Sequence, residues 1–165
     1  MSERVRLIDD PVLRKVCTPV DFPTDHHFMV GLLETMNETM KASNGIGLAA
    51  NQIGQSLRVF ILKKGDSYQE YINPEIVSKE NLVTFETEAC LSIPGTYGMT
   101  KRYKRVSLTW VDKNGIKNEG TFEDMEAFAI QHELDHLNGK LYIDQFSPLL
   151  RKMTLKKHHK YLRGY

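Results

Sequence analysis

The chain has 165 residues, enough for one domain with a real core, and its composition is that of an ordinary globular protein. Twenty-two Lys and Arg against 21 Asp and Glu leave a net charge of +1, which gives no global reason to expect DNA or another polyanion as partner. No apolar run reaches membrane-spanning length, and the N-terminal stretch Met1-Ser2-Glu3-Arg4-Val5-Arg6 has no signal-peptide hydrophobic region, so a cytoplasmic protein is expected. Two cysteines, Cys17 and Cys90, are not expected to pair in a reducing compartment. No internal repeat is visible.

Residues 1–20 read as an extended arm with a turn at Asp10-Pro11. Residues 24–42 read as a first helix, capped by Thr24 or Asp25, with Leu32, Leu33, Met36 and Met40 at helical spacing as core. Then Asn44-Gly45-Ile46-Gly47-Leu48-Ala49-Ala50-Asn51-Gln52 sets two glycines around an apolar residue. It lacks the third glycine of a dinucleotide loop and follows a helix. It is either an ordinary loop or a place where another backbone comes close, with Gln52 as an amide donor.

Residues 57–63 and 68–73 read as strands, Asn73-Pro74 as a turn, and 75–87 as one or two further strands. Pro94-Gly95 breaks the pattern. In 104–111, Val106, Leu108 and Trp110 face one way and Ser107 and Thr109 the other, and Asp112-Lys113-Asn114-Gly115 is a hairpin turn into a returning strand, 116–122. A helix follows, with no Gly or Pro between Thr121 and Asn138 and Gly139 as its stop.

That last helix carries Gln131-His132-Glu133-Leu134-Asp135-His136. His132 and His136, four apart, lie one above the other, and each can put a nitrogen about 2.0–2.1 Å from one divalent metal. Glu133 follows about 100° round the helix, beside such a metal, where it can take a proton from a water that the metal activates. The alternative is a helix with two histidines on its polar face, and a third ligand decides. No Glu follows Glu133, and Tyr142 stands where a third His would complete His-Glu-x-x-His-x-x-Gly-x-x-His. The best remaining soft ligand is Cys90, in Glu88-Ala89-Cys90-Leu91-Ser92.

Three motifs in this order resemble the peptide deformylase family. Gly45-Ile46-Gly47-Leu48-Ala49-Ala50-Asn51-Gln52 is similar to its first motif, and Glu88-Ala89-Cys90-Leu91-Ser92 to its second, with Ala89 where Gly is usual. Gln131 to His136 is similar to its third, and the resemblance covers about residues 5–150. It implies one metal held by Cys90, His132 and His136, natively Fe(II), with zinc, nickel or cobalt as substitutes. It implies hydrolytic deformylation of N-formylmethionyl nascent peptides, with Glu133 moving the proton and with Gln52 and the Leu91 backbone N–H on the formyl oxygen. Gly45 and Gly47 would meet the peptide backbone, as would the backbone around 95–97. Ile46, Met125, Phe128 and Ala129 would form the methionine pocket, although core packing is the simpler reading of those four. Glu88 and Arg102 would pair and hold the Cys90 turn. Glu86 and Tyr97 stand where relatives carry other residues, Glu86 at the pocket mouth or in solvent.

The expected architecture is α+β: antiparallel strands around a central His-Glu-x-x-His helix, with an N-terminal helix and a shorter basic C-terminal helix or tail. A single catalytic domain, 1–150, is followed by a tail, 151–165, that has Arg151, Lys152, Lys156, Lys157, Lys160 and Arg163 and no acid. The resemblance implies that this tail docks on the ribosome of a bacterial, organellar or viral host system. The protein is expected to be a monomer.

Overall fold

A computed structural model describes residues 1–164. Three helices, α1 (Phe22–Ala42), α2 (Asp124–Leu137) and α3 (Pro148–Leu162), accompany five strands. The strands are β1 (Gly47–Ala49), β2 (Val59–Lys64), β3 (Ser67–Glu88), β4 (Gly98–Val111) and β5 (Lys117–Glu123). They form one antiparallel sheet in the order β1-β2-β3-β4-β5, so the fold is α+β. Among the described residues no helix is long and apolar enough to cross a membrane.

At β2 the sheet is covered on both faces, and the strand shows why. Val59, Phe60, Ile61 and Leu62 are all buried. Val59 and Ile61 join the cluster built on Met29, Leu33, Met36 and Met40 of α1. Phe60 and Leu62 join the cluster of Ala127, Ile130, Leu134 and Leu137 of α2. An unbroken apolar run is what a strand buried on both faces requires. In β4, Val106 and Leu108 turn toward α2, while Ser107 Oγ pairs with Thr121 Oγ1 at 2.9 Å on the opposite side.

Three expectations need correction. Helix α1 starts at Phe22, because Pro23 sits comfortably in a first helical turn. Asp21 takes the cap position without a side-chain cap bond, and Thr24 and Asp25 lie inside the first turn. Asn73-Pro74 does not turn the chain. A register shift between Ile72 and Glu75 absorbs it within β3, and Asn73 takes φ 49° while its amide bonds both backbone groups of Val20. A bulge is where a strand tolerates proline, since the missing N–H is then not needed by a neighbour. Finally, β4 begins at Gly98, earlier than the alternation alone suggests.

The arm 1–20 is anchored to the end of α2. The Cys17 N–H donates to the Leu137 carbonyl at 2.9 Å, and Arg14 Nη1 donates to Asp144 Oδ2 at 2.7 Å. Gly139 ends the helix at φ +71°, and a Cβ there would lie 2.6 Å from the Arg14 carbonyl oxygen. Gly139→Ala therefore combines a strained φ with a clash against backbone, and a loss of about 2 kcal/mol or more of unfolding free energy is expected. Urea denaturation measures it; an unchanged midpoint would contradict this account of how the arm closes on α2.

Candidate metal centre

Three donors converge between α2 and the segment that follows β3. Cys90 lies two residues past the end of β3, in the turn before β4, and His132 and His136 are on successive turns of α2. Their ligand atoms all lie within 4.8 Å of one another, with Cys90 Sγ 3.3 Å from His136 Nε2. Cys90 and His136 are buried and His132 nearly so. No fourth protein donor joins the group among the described residues.

The donors are held from behind by one carboxylate. Glu88, at the end of β3, accepts from His132 Nδ1 at 2.7 Å, Arg102 Nε at 2.8 Å and Thr100 Oγ1 at 2.6 Å. Arg102 Nη1 continues to Asp135 Oδ2 at 2.7 Å, so the expected Glu88–Arg102 pair exists and ties β3 and β4 to α2. Burial of Glu88 alone would raise its carboxyl, but the bonds from Arg102 and His132 outweigh burial and hold it at about 2. A bond from Nδ1 to this anion leaves the His132 Nε2 lone pair as the metal-facing atom. Burial works against a proton on His132, yet Cys90 and Glu88 reverse that and raise it, and a dication in the proton's place would meet the same two partners. On His136 burial wins and keeps the ring neutral. A thiolate, two imidazoles and an open position fit one borderline-soft divalent ion in a catalytic rather than a structural arrangement.

Glu133 is also buried, and burial lifts its carboxyl to about 7. Its Oε2 has no hydrogen-bond partner among the described residues, and its Oε1 stands 3.9 Å from His132 Nε2. The Gly loop makes room for it: a Cβ on Gly47 would meet Glu133 Oε1 at 3.3 Å and Leu62 Cδ2 at 2.9 Å. Gln52, buried in a short 3₁₀ turn, accepts from the Ala49 N–H at 2.9 Å through Oε1. That bond fixes the amide so that Nε2 donates to Ser92 Oγ at 3.0 Å and points toward Cys90 Sγ at 3.8 Å. The Leu91 backbone N–H has no acceptor among the described residues.

These groups surround an open cavity of about 350 Å³. Of the residues singled out in the sequence, Gly45, Ile46, Gly47, Gln52, Cys90 and Leu91 line it from one side. Met125, Phe128, Ala129, His132 and Glu133 line it from α2, and His136 lies buried behind. Ile46 is 60% and Met125 54% exposed, so neither is a core residue, whereas Ala129 lines the cavity and also packs against the core cluster of Ala127, Ile130, Leu134 and Leu137. Phe85 was not legible as a wall residue. It stacks on Phe128 with ring centroids 4.9 Å apart. A register shift between Phe85 and Glu88 breaks the alternation that would have revealed it.

The substitutions at the rim have simple outcomes. Ala89 is reached without positive φ, and Glu86 points to solvent and does not line the cavity. The backbone at 95–97 does not line this cavity, and a Cβ on Gly95 would fall 2.4 Å from Tyr161 Cγ of α3.

The sequence model of the Polypeptide deformylase family matches residues 2–152. The peptide deformylase of Caldanaerobacter subterraneus subsp. tengcongensis is 42% identical over 152 residues, covering 92% of this chain and 94% of the relative. That of Desulfotalea psychrophila is 44% identical over 158 residues, covering 92% of each. In structure, a peptide deformylase from Legionella pneumophila superposes with a TM-score of 0.91 at 36% identity, covering 99% of this chain and 96% of that one. A probable peptide deformylase from synechococcus phage S-SSM7 gives 0.81 at 35% identity over 87% and 99%. The three donors, the buried carboxylate beside them and these likenesses converge, and the chain belongs to the peptide deformylase family.

Proposed function

We propose that Cys90, His132 and His136 hold one divalent metal, and that Glu133 moves the proton in a hydrolysis. The reaction removes the formyl group from the N-terminal formylmethionine of newly synthesised polypeptides. The observation that carries the reading is the unpartnered, buried Oε2 of Glu133 beside a three-donor cluster. A metal that only braces a fold has no use for either a missing fourth donor or a buried carboxylate with nothing to accept from.

When bound, the metal supplies Lewis acidity for the formyl carbonyl and brings a water's acidity near neutrality. Glu133 takes that water's proton as its oxygen bonds to the formyl carbon. It then delivers the proton to the methionine nitrogen as the C–N bond breaks, so formate and a free amine leave. A carboxyl lifted to about 7 is matched to both halves of that transfer. The Gln52 Nε2 and Leu91 N–H donate to the formyl oxygen as it gains charge, and each such donor contributes roughly 2.7–4 kcal/mol. Gly45, Ile46 and Gly47 receive the peptide backbone. Met125, Phe128 and Ala129, with Phe85, receive the methionine side chain. The His132 side of that face is where an apolar thioether fits against aromatic rings.

Fe(II) is proposed as the native metal, with zinc, nickel and cobalt able to substitute, because a thiolate with two imidazoles suits all four. The thiolate also makes oxidation of Cys90 the expected route of inactivation in air. Residues 1–150 are proposed as the catalytic unit of a cytoplasmic monomer, and 151–165 as a docking element for the ribosome. Lys152, Lys156 and Lys157 are exposed on α3, which is capped by Ser147 and pinned by the buried His158, whose Nδ1 lies 3.0 Å from the Pro94 carbonyl. A fixed cationic face is suited to RNA phosphates.

Two experiments follow. Fe(II)-loaded protein, kept anaerobic, is expected to turn over formyl-Met-Ala-Ser and to leave acetyl-Met-Ala-Ser intact, and Glu133→Ala is expected to lower kcat at least about a hundredfold with one metal still bound. Full activity in Glu133→Ala would remove the proposed proton carrier. Reversing Lys152, Lys156 and Lys157 to Glu is expected to abolish salt-sensitive co-sedimentation with ribosomes without changing peptide turnover. Unchanged, salt-insensitive co-sedimentation would end the docking idea.

A further inference from the structure

A cleft of about 580 Å³ lies apart from the metal cavity and shares no lining residue with it. It opens between β3, β4 and the C-terminal end of α2. Five cationic side chains line it. Arg58 comes from just before β2, Lys79 from β3, Lys101 and Arg102 from β4, and Lys140 from the chain after α2. Two acids, Glu75 and Asp135, share the lining. Five cations against two acids leave a local charge of +3, on a chain whose net charge is +1. The excess is therefore a property of this place and not of the composition.

Most of this charge is not used by the fold. Among the described residues, no acid lies within ion-pair distance of Arg58, Lys79, Lys101 or Lys140. Arg58 Nη1 donates to the Leu137 carbonyl and to Asn138 Oδ1, each at 3.1 Å. The Lys79 ammonium lies 5.1 Å from the centre of the Tyr103 ring, and Lys101 Nζ donates to Thr84 Oγ1 at 2.8 Å. Neutral partners of this kind fix the side chains and leave their charges uncompensated, and like charges gathered in one cleft raise one another's energy. Arg102 adds a second observation. It is only 4% exposed, and a guanidinium carries five N–H donors. Three of them go to Glu88 and Asp135, and the other two have no acceptor among the described residues. A buried donor without an acceptor is costly to keep. Asp135 is already spent on Arg102, and Glu75 is exposed, so neither neutralises the cleft.

We propose that this cleft is a binding site for an oxyanion of the phosphate class. A phosphate carries more than one negative charge and presents acceptor oxygens in several directions, which suits cations that arrive from four separate segments. The lysines act on it as point charges, and the spare N–H groups of Arg102 act as directed donors from the wall. A carboxylate has one charge and two oxygens and would leave most of these donors unmet. The volume is in the range of small-molecule sites. The same chemistry is offered by free phosphate and by the phosphodiesters of an RNA strand. The site stands independently of the deformylase reading, because none of its lining residues touches the metal cavity.

Zinc-loaded full-length protein would be titrated with inorganic phosphate, and separately with a short single-stranded RNA, while backbone amide shifts are followed by NMR. Saturable shifts are expected at Tyr103, Asn138 and Lys140, and the affinity is expected to fall as potassium chloride is raised. The combined variant Lys79→Gln, Lys101→Gln, Lys140→Gln keeps side chains of similar reach and removes three charges. It is expected to weaken binding about tenfold or more, whereas Arg at the same three positions is expected to keep it. Turnover of a formylmethionyl peptide is expected to be the same in both variants as in the unaltered protein. Tighter binding of RNA than of phosphate at these amides would identify phosphodiesters as the source, and binding of phosphate alone would identify the free anion. Two results would overturn the site. One is the absence of saturable shifts with either probe. The other is affinity unchanged in the Gln variant, with shifts gathered around Cys90 and His132, which would put the anion on the zinc.

Discussion

One carboxylate holds three parts of the fold in register with one another. Glu88 takes Thr100 and Arg102 Nε on Oε1, and Arg102 Nη2 and His132 Nδ1 on Oε2. Those donors come from β4 and α2, and Glu88 itself closes β3 two residues before Cys90. The thiol and the imidazoles, far apart in sequence, therefore share a single fixed point. Leaving an ion buried without its partner costs roughly 3–5 kcal/mol, so the arrangement is held by what each alternative would leave unpaired. The register shift between Phe85 and Glu88 serves it: Glu86 faces solvent, whereas Glu88 turns fully inward.

Around that point α2 divides its labour by face. Ala127, Ile130, Leu134 and Leu137 lock onto the sheet with Phe60, Val106 and Leu108, and this rigid contact orients the opposite face. On that opposite face Met125, Phe128, Ala129, His132 and Glu133 meet the cavity. The Gly loop approaches closely enough that Gly47 has no room for a side chain between Leu62 and Glu133. Burial thereby raises the Glu133 carboxyl to about 7, while the bonds and charges of Arg102 and His132 outweigh burial and hold the Glu88 carboxyl at about 2. Two carboxylates within one site are thus assigned different work by their surroundings, one to hold and one to exchange a proton.

Much of this was legible because the signals are local. His132 and His136 follow from helix spacing, the hairpin after β4 from Asp112-Lys113-Asn114-Gly115, and the α1 core from a Met and Leu stripe. Features that depend on the partner strand were not. Asn73-Pro74 reads as a turn until the bulge opposite Val111 and Thr109 is known, and Phe85 reads as one alternating strand residue among others until its stack on Phe128 is seen. Tyr161 of α3 lies beside Gly95, a contact between residues more than sixty positions apart that no local pattern encodes.

The central claim is that Glu88 sets the metal donors through His132, and its most direct test is zinc affinity by chelator competition on Glu88→Gln. Alongside it, Arg102→Met in the same background relieves the stranded guanidinium and restores the fold if stability alone is lost. The account predicts zinc binding weaker by about ten- to a hundredfold in Glu88→Gln, not recovered by the second change. Affinity equal to that of the unaltered protein, or full recovery in the double variant, would contradict it and reduce Glu88 to a stabiliser of the hairpin.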